Sequence, residues 1–222
     1  MPSAIISFSD NRTDVDRLIE IHTSIGGSGR GRRWNLEVLH KAAIVLTCSI
    51  WEAFVEDLIK EAVNHIAQQL TNPDDLPKHL KQQIAKKIRA DQNELSPWSL
   101  AGAGWQNVLR SNATQLVGAV AGRLNTPKSP QIKELFDKSL GIADVTASWR
   151  RRRMTPSQAA TKLDGFITLR GAIAHRGQGA SAVTKIQADD FISLVSELVR
   201  FTDGTVRDHV QSVTGQPMPL VP

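Results

Sequence analysis

Between residues 36 and 70, apolar side chains return every three or four positions: Leu39, Ala43, Leu46, Ile50, Phe54, Leu58 and Ile66. That spacing fits the 3.6-residue turn of an α-helix, not the alternation of a half-buried strand. The same period runs through most of the chain. Few segments alternate, and tyrosine, a common strand residue, is absent. The expected fold class is all-α.

Punctuation residues divide the chain further. A short helix is expected over 10–22, followed by a loop of glycine and arginine, GGSGRGRR, over 26–33. Asn35 is placed to cap the long helix that runs to about Leu70. Another helix begins near Leu76 and Pro77, where proline is tolerated, and ends near Ala90. Residues 91–125 read as an insertion: a loop, SPWSLAGAGW, holding Trp98 and Trp105, then a helix. Ser129 and Pro130 open a short helix that Gly141 closes. Thr155, Pro156 and Gln158 form a capping-box start for a helix that Gly177 stops. A last helix over about 188–209 carries Phe191, Ile192, Val195, Leu198, Val199 and Val206 on one stripe. The whole chain, 1–222, reads as one domain with its core over about 36–201 and a loose tail over 215–222.

Composition limits the function classes. Of 222 residues, 41% are hydrophobic and 22% charged, which suits a globular chain with a real core. The single cysteine, Cys48, forbids an internal disulfide, reads as a buried thiol and suits a reducing cytoplasm. No basic, then apolar, secretory leader opens the sequence. The most apolar run, 42–50, is too short for a bilayer, so a cytoplasmic protein without a membrane partner is expected. Net charge is +5, favouring a polyanionic partner. No phosphate loop, dinucleotide fingerprint or HExxH pattern is present, GGSGR lacks the final glycine of a nucleophile elbow, and no metal or cofactor is expected.

Within 156–176 the apolar stripe is Leu163, Phe166, Ile167, Ile173 and Ala174, and its continuation places Arg170 among them. A guanidinium stays charged, so Arg170 must meet a carboxylate, a carbonyl or a bound anion. His175 follows five positions later, about 140° around a regular helix, so one helix does not aim the two together. A buried ion pair and a helix-end cap would account for these residues as well as a catalytic pair would.

Arg170-Gly-Ala-Ile-Ala-His175 resembles the motif of the HEPN superfamily: an arginine, four to six residues, then a histidine, late in a helical bundle. SIWEAFVEDLIKEA (49–62) and LNTPKSPQIKELFDKSLGIADVTASW (124–149), followed by LRGAIAHRG, are similar in order to the RiboL-PSP-HEPN group. The resemblance spans roughly 36–201 and implies a HEPN-type bundle with an additional helical and loop insertion. It implies metal-independent cleavage of RNA by the ribose 2′-hydroxyl, leaving a 2′,3′-cyclic phosphate. His175 would then be general acid or base, and Arg170 would stabilise the phosphorane-like transition state. It further implies a homodimer through the motif-bearing helices, which could bring two copies of the pair to one cleft. Toxin–antitoxin, stress or phage-defence biology follows by the same resemblance, with an antitoxin or inhibitor as a possible partner. Gly171 departs from the family, where a polar residue, frequently asparagine, often follows the arginine. It either permits close helix contact or marks a weakened copy.

Further residues have weaker claims. Glu52 could pair with Arg170 or be a carboxylate at the edge of the core. Lys78, Lys81, Lys86 and Arg89 gather opposite Leu80, Ile84 and Ile88 and could follow an RNA backbone. Arg150, Arg151, Arg152 and Arg153 precede the motif helix and Arg176 follows His175, so sequence proximity makes them candidate RNA contacts. Trp98, Trp105 and Trp149 read as core anchors. The alternative to an RNA substrate being cut is a non-catalytic HEPN domain that binds RNA or a protein, or a helical scaffold.

Overall fold

A computed structural model describes residues 2–26, 36–121, 128–150, 153–176 and 182–222. Among them are seven α-helices and no β-strand: α1 Ala4–Gly26, α2 Glu37–Gln69, α3 Lys78–Ala90, α4 Gly104–Ala121, α5 Ser129–Leu140, α6 Pro156–Arg176 and α7 Lys185–Thr214. The chain is all-α. No helix among the described residues is long and apolar enough to cross a membrane.

α2 is the central strut. Its 33 residues extend about 50 Å, and it packs against α1, α4, α5, α6 and α7. Contact on so many sides explains why its buried set is wider than one stripe, adding Ile44, Cys48, Trp51, Val55 and Ile59 to the periodic residues. Leu39 and Leu46 lie at its edge, half-buried. The expected cap, Asn35, lies outside the described residues, as do the loop after Gly26 and Gly177.

α1 is longer than the 10–22 expected, and the reason is a cap from elsewhere. The Ala4 N–H donates to Glu61 Oε2 of α2 at 2.8 Å, which satisfies an orphan donor of the first turn. Ala4, Phe8 and Val15 are buried against the core.

The tail corrects the expectation of looseness. Ser3 N–H donates to the Val221 carbonyl, and Val221 N–H to Ser3 Oγ, each at 2.8 Å. Arg207 Nη1 donates to the Met218 carbonyl at 3.1 Å, and the Met218 side chain is only 5% exposed. Arg207 also pairs with Asp203 at 2.8 Å and Glu61 at 3.1 Å. One guanidinium thus ties α7, α2 and the tail together.

α5 and α6 start and stop on their own sequence signals. Gly141 adopts φ +78° and its N–H returns to the Asp137 carbonyl at 2.9 Å. At the start of α6 the Thr155 N–H donates to Gln158 Oε1 at 2.9 Å, and the Gln158 N–H to Thr155 Oγ1 at 3.3 Å. α7 has its own capping box, Thr184 with Gln187, and runs beyond the expected 188–209 at both ends. Trp105 and Trp149 are core anchors. Trp149 donates from Nε1 to Thr202 Oγ1 at 2.9 Å and meets Trp51 edge-on at 6.0 Å. Trp98 is not an anchor: it stands 76% exposed on a 3₁₀ turn, Ser96–Leu100.

Candidate catalytic site and nucleic-acid surface

α6 is held on three sides before it presents any chemistry. Asp164 accepts from Ser129 N at 2.7 Å and from Ser129 Oγ at 2.8 Å, capping α5 with a carboxylate from α6. Phe166 stacks on Phe191 of α7 with ring centroids 4.4 Å apart, and Lys162 pairs with Asp190 of α7. Ala159, Leu163 and Ile167 are buried along its inner face. Ala174, expected in that stripe, is exposed, because the apolar face ends at Ile173 as the helix leaves the bundle.

Arg170 continues the inner face and is half-buried. Its charge acts on two α2 groups, Cys48 and Glu52, which lie four positions apart on one helical face. Burial raises the Glu52 carboxyl above its ordinary range, Arg170 opposes the rise, and Glu56 adds to it. Glu52 Oε1 is itself buried. Burial pushes the Cys48 thiol up to about 12, against the pull of Arg170 and with the push of Glu52. A thiol so raised stays protonated and is no nucleophile. Only its i, i+4 relation to Glu52 marks Cys48 for this place in the sequence.

His175 is exposed in the last turn of α6. The half-buried arginine and exposed histidine lie on different faces, as the angle of about 140° requires. A Cβ on Gly171 would meet no atom within 4 Å, so packing inside one chain does not demand glycine there. Beyond α6, the chain returns at Val183, whose carbonyl accepts from His40 Nδ1 at 3.0 Å. The His40 ring lies 4.4 Å from that of His22. Among the described residues no group of three or more His, Cys, Asp or Glu side chains is placed to hold a metal.

Residues 9–208 match the sequence model of the RiboL-PSP-HEPN family. The chain belongs to that family. No curated protein and no solved structure matches it. A HEPN-type domain of this kind is generally ribonuclease-like, and its all-α build agrees with HEPN architecture.

The cations near the HEPN motif in sequence are not all near it in space. Arg150 and Arg153 are exposed at the start of α6, roughly 28 Å along the helix axis from His175. Neighbours in sequence, they stand at the opposite end of α6 from His175. Arg153 also adopts φ 64°, a left-handed conformation uncommon for a side chain of its size. Arg151, Arg152 and the Arg176 side chain lie outside the described residues. Lys78, Lys81, Lys86 and Arg89 are all exposed on α3. α3 packs on α4 and α5, whereas α6 packs on α2, α5 and α7. α5 is thus the helix that α3 and the motif helix share as a neighbour, and the α3 cations stand on a different helix from Arg170 and His175.

Proposed function

We propose that this HEPN domain is an endoribonuclease that cleaves without a metal ion. The observation carrying this reading is the placement of Arg170: a permanent charge half-buried at the α2–α6 contact whose field acts on Glu52, with His175 exposed one turn beyond. Glu52 orients the guanidinium, leaving its planar fork for a phosphate. A base, His175, takes the proton from the ribose 2′-hydroxyl. The 2′-oxygen bonds to phosphorus, the bond to the 5′-oxygen breaks, and an acid protonates that leaving oxygen. The product ends are a 2′,3′-cyclic phosphate and a 5′-hydroxyl. Arg170 offsets the charge that builds on the phosphoryl oxygens.

The acting unit in this reading is a homodimer joined through α6, since one helix separates the two side chains and a two-fold axis returns them to one cleft. Toxin–antitoxin, stress or phage-defence roles, with an inhibitor protein, belong to the same reading. The test incubates purified protein with single-stranded and structured RNA in EDTA, beside His175→Ala and Arg170→Ala. The expected result is cleavage that persists in EDTA, leaves cyclic-phosphate ends and disappears in both variants. Salt-sensitive RNA binding without cleavage would favour a binding domain, a reading that Gly171 and the divergence of Arg170 from His175 support.

A further inference from the structure

Trp98 and Leu95 are 76% and 67% exposed, two large apolar side chains turned to solvent on one short segment. They are three apart at a 3₁₀ turn, where side chains at i and i+3 eclipse, so they share one side. The segment is firmly held. Trp98 N–H donates to the Leu95 carbonyl at 3.0 Å, and Asn93 Oδ1 accepts from Leu95 N at 3.0 Å. Asp91 accepts from Asn93 N at 3.0 Å and from the Ser96 side chain, with Lys87 of α3 close by. On the far side, the Ser99 carbonyl oxygen lies 2.2 Å from where a Cβ on Gly104 would stand. Only glycine admits that approach, and it clamps the turn to the start of α4.

α3 leads directly into this turn. Lys78, Lys81, Lys86, Lys87 and Arg89 all lie on it, and no acidic residue falls between Leu76 and Arg89. Gln82, Lys86, Arg89 and Ala90 share one open, shallow face of α3. Lys86 and Arg89 form no ion pair with any described residue. The carboxylates nearby are Asp91, already bonded, and the exposed Glu94.

We propose that the cationic face of α3 and Trp98 form a binding surface for single-stranded RNA, with phosphates on Lys86 and Arg89 and a base stacked on Trp98. A cationic helix that leads into a turn with an exposed indole suits a single strand, because each base offers a π-face and each linkage a charge. A lipid surface fits less well: the apolar face of α3, Leu80 and Ile84, is buried in the core, leaving only two side chains to insert. The surface rests on the reading of the chain as an RNA-acting protein. It adds a site beyond the motif, where substrate is held away from Arg170 and His175.

The test measures fluorescence anisotropy of a labelled single-stranded RNA of about 20 nucleotides, using full-length protein carrying His175→Ala so that substrate survives. Trp98→Ala is expected to weaken binding roughly 5- to 100-fold, with Trp98→Phe retaining most of the affinity. Lys86→Gln with Arg89→Gln is expected to reduce the salt slope by about 1.4. Circular dichroism checks that each variant folds. With His175 restored, Trp98→Ala is expected to raise KM and leave kcat in place. Unchanged binding in both variants overturns the surface even if the protein cleaves RNA. Intact binding dependence without any cleavage sustains the surface and defeats the catalytic reading. Loss in Trp98→Ala of binding to phosphatidylserine vesicles, with RNA binding intact, also overturns it.

Discussion

Arg170 on α6 sets its positive charge against the Glu52 carboxyl on α2, and burial works in the opposite direction. Burial wins, so the folded-state pKa of Glu52 lies above its ordinary value. The folded chain then holds that proton longer than the unfolded chain. Glu52 therefore weakens the fold as pH rises through the carboxylate range toward neutrality. Glu52→Gln removes this penalty but also removes the charge that orients Arg170. Urea titrations near pH 4 and pH 7 should show the variant improving relative to the parent as pH rises. RNA cleavage near neutrality should nevertheless fall, roughly 10- to 100-fold, if Arg170 loses its alignment. A stability difference independent of pH would contradict the sign of the shift.

Cys48 offers a second check on the same cluster. With its thiol at about 12 and its side chain buried, the thiolate that alkylating agents require is scarce near pH 8. Iodoacetamide should leave the native protein unmodified by intact mass and add one adduct in denaturant. Rapid modification of the native chain would mean that the α2–α6 contact opens readily.

Local signals carried much of the fold, and their limits have physical causes. α5 and α6 were legible because Ser129, Pro130 and Gly141, and Thr155 with Gln158, act within a few residues of where they stand. The start of α1 was not, because its cap is Glu61, 57 positions away. Trp98 and Trp105 look alike in the sequence. One falls on an outward 3₁₀ turn and the other in the first turn of α4 facing the core, a difference set by packing. The stripe put Arg170 on the inner face of α6, where its charge acts on Glu52 of α2. The separation of Arg150 and Arg153 from His175 was legible too, in the bounds of one helix; what spacing could not supply was that Cys48 shares the field of Arg170 with Glu52.

The docked tail should contribute measurably to stability. Met218 is buried and its carbonyl accepts from Arg207, while Val221 and Ser3 exchange hydrogen bonds. Met218→Ala is expected to cost about 2 kcal/mol or more, as buried methionine truncations do. Removing residues 216–222 should cost at least as much and should fray α1, since Ser3 loses its partner. Hydrogen exchange provides an independent measure: the amides of Ser3 and Val221 should exchange slowly, and those of a loose tail would exchange at once.

Gly171 separates stability from catalysis. Its added Cβ would meet nothing within 4 Å in the chain, and a helix-interior glycine costs about 1 kcal/mol relative to alanine. Gly171→Ala should therefore raise the unfolding free energy of the dilute protein, read from urea titration, by up to about 1 kcal/mol. Its effect on assembly tests where the proposed dimer axis runs. If two α6 helices meet at Gly171, the methyl lies between them, so sedimentation should show weaker dimers and cleavage should fall as the fold strengthens. If dimers and activity both persist, the axis lies elsewhere on α6 and close approach is not why glycine is present. Gly171→Asn then addresses the remaining alternative, because it supplies the polar side chain that often follows the family's arginine. A rise in kcat with unchanged RNA affinity is the result expected of an attenuated copy, since uniform binding would be unaltered and only transition-state stabilisation would improve.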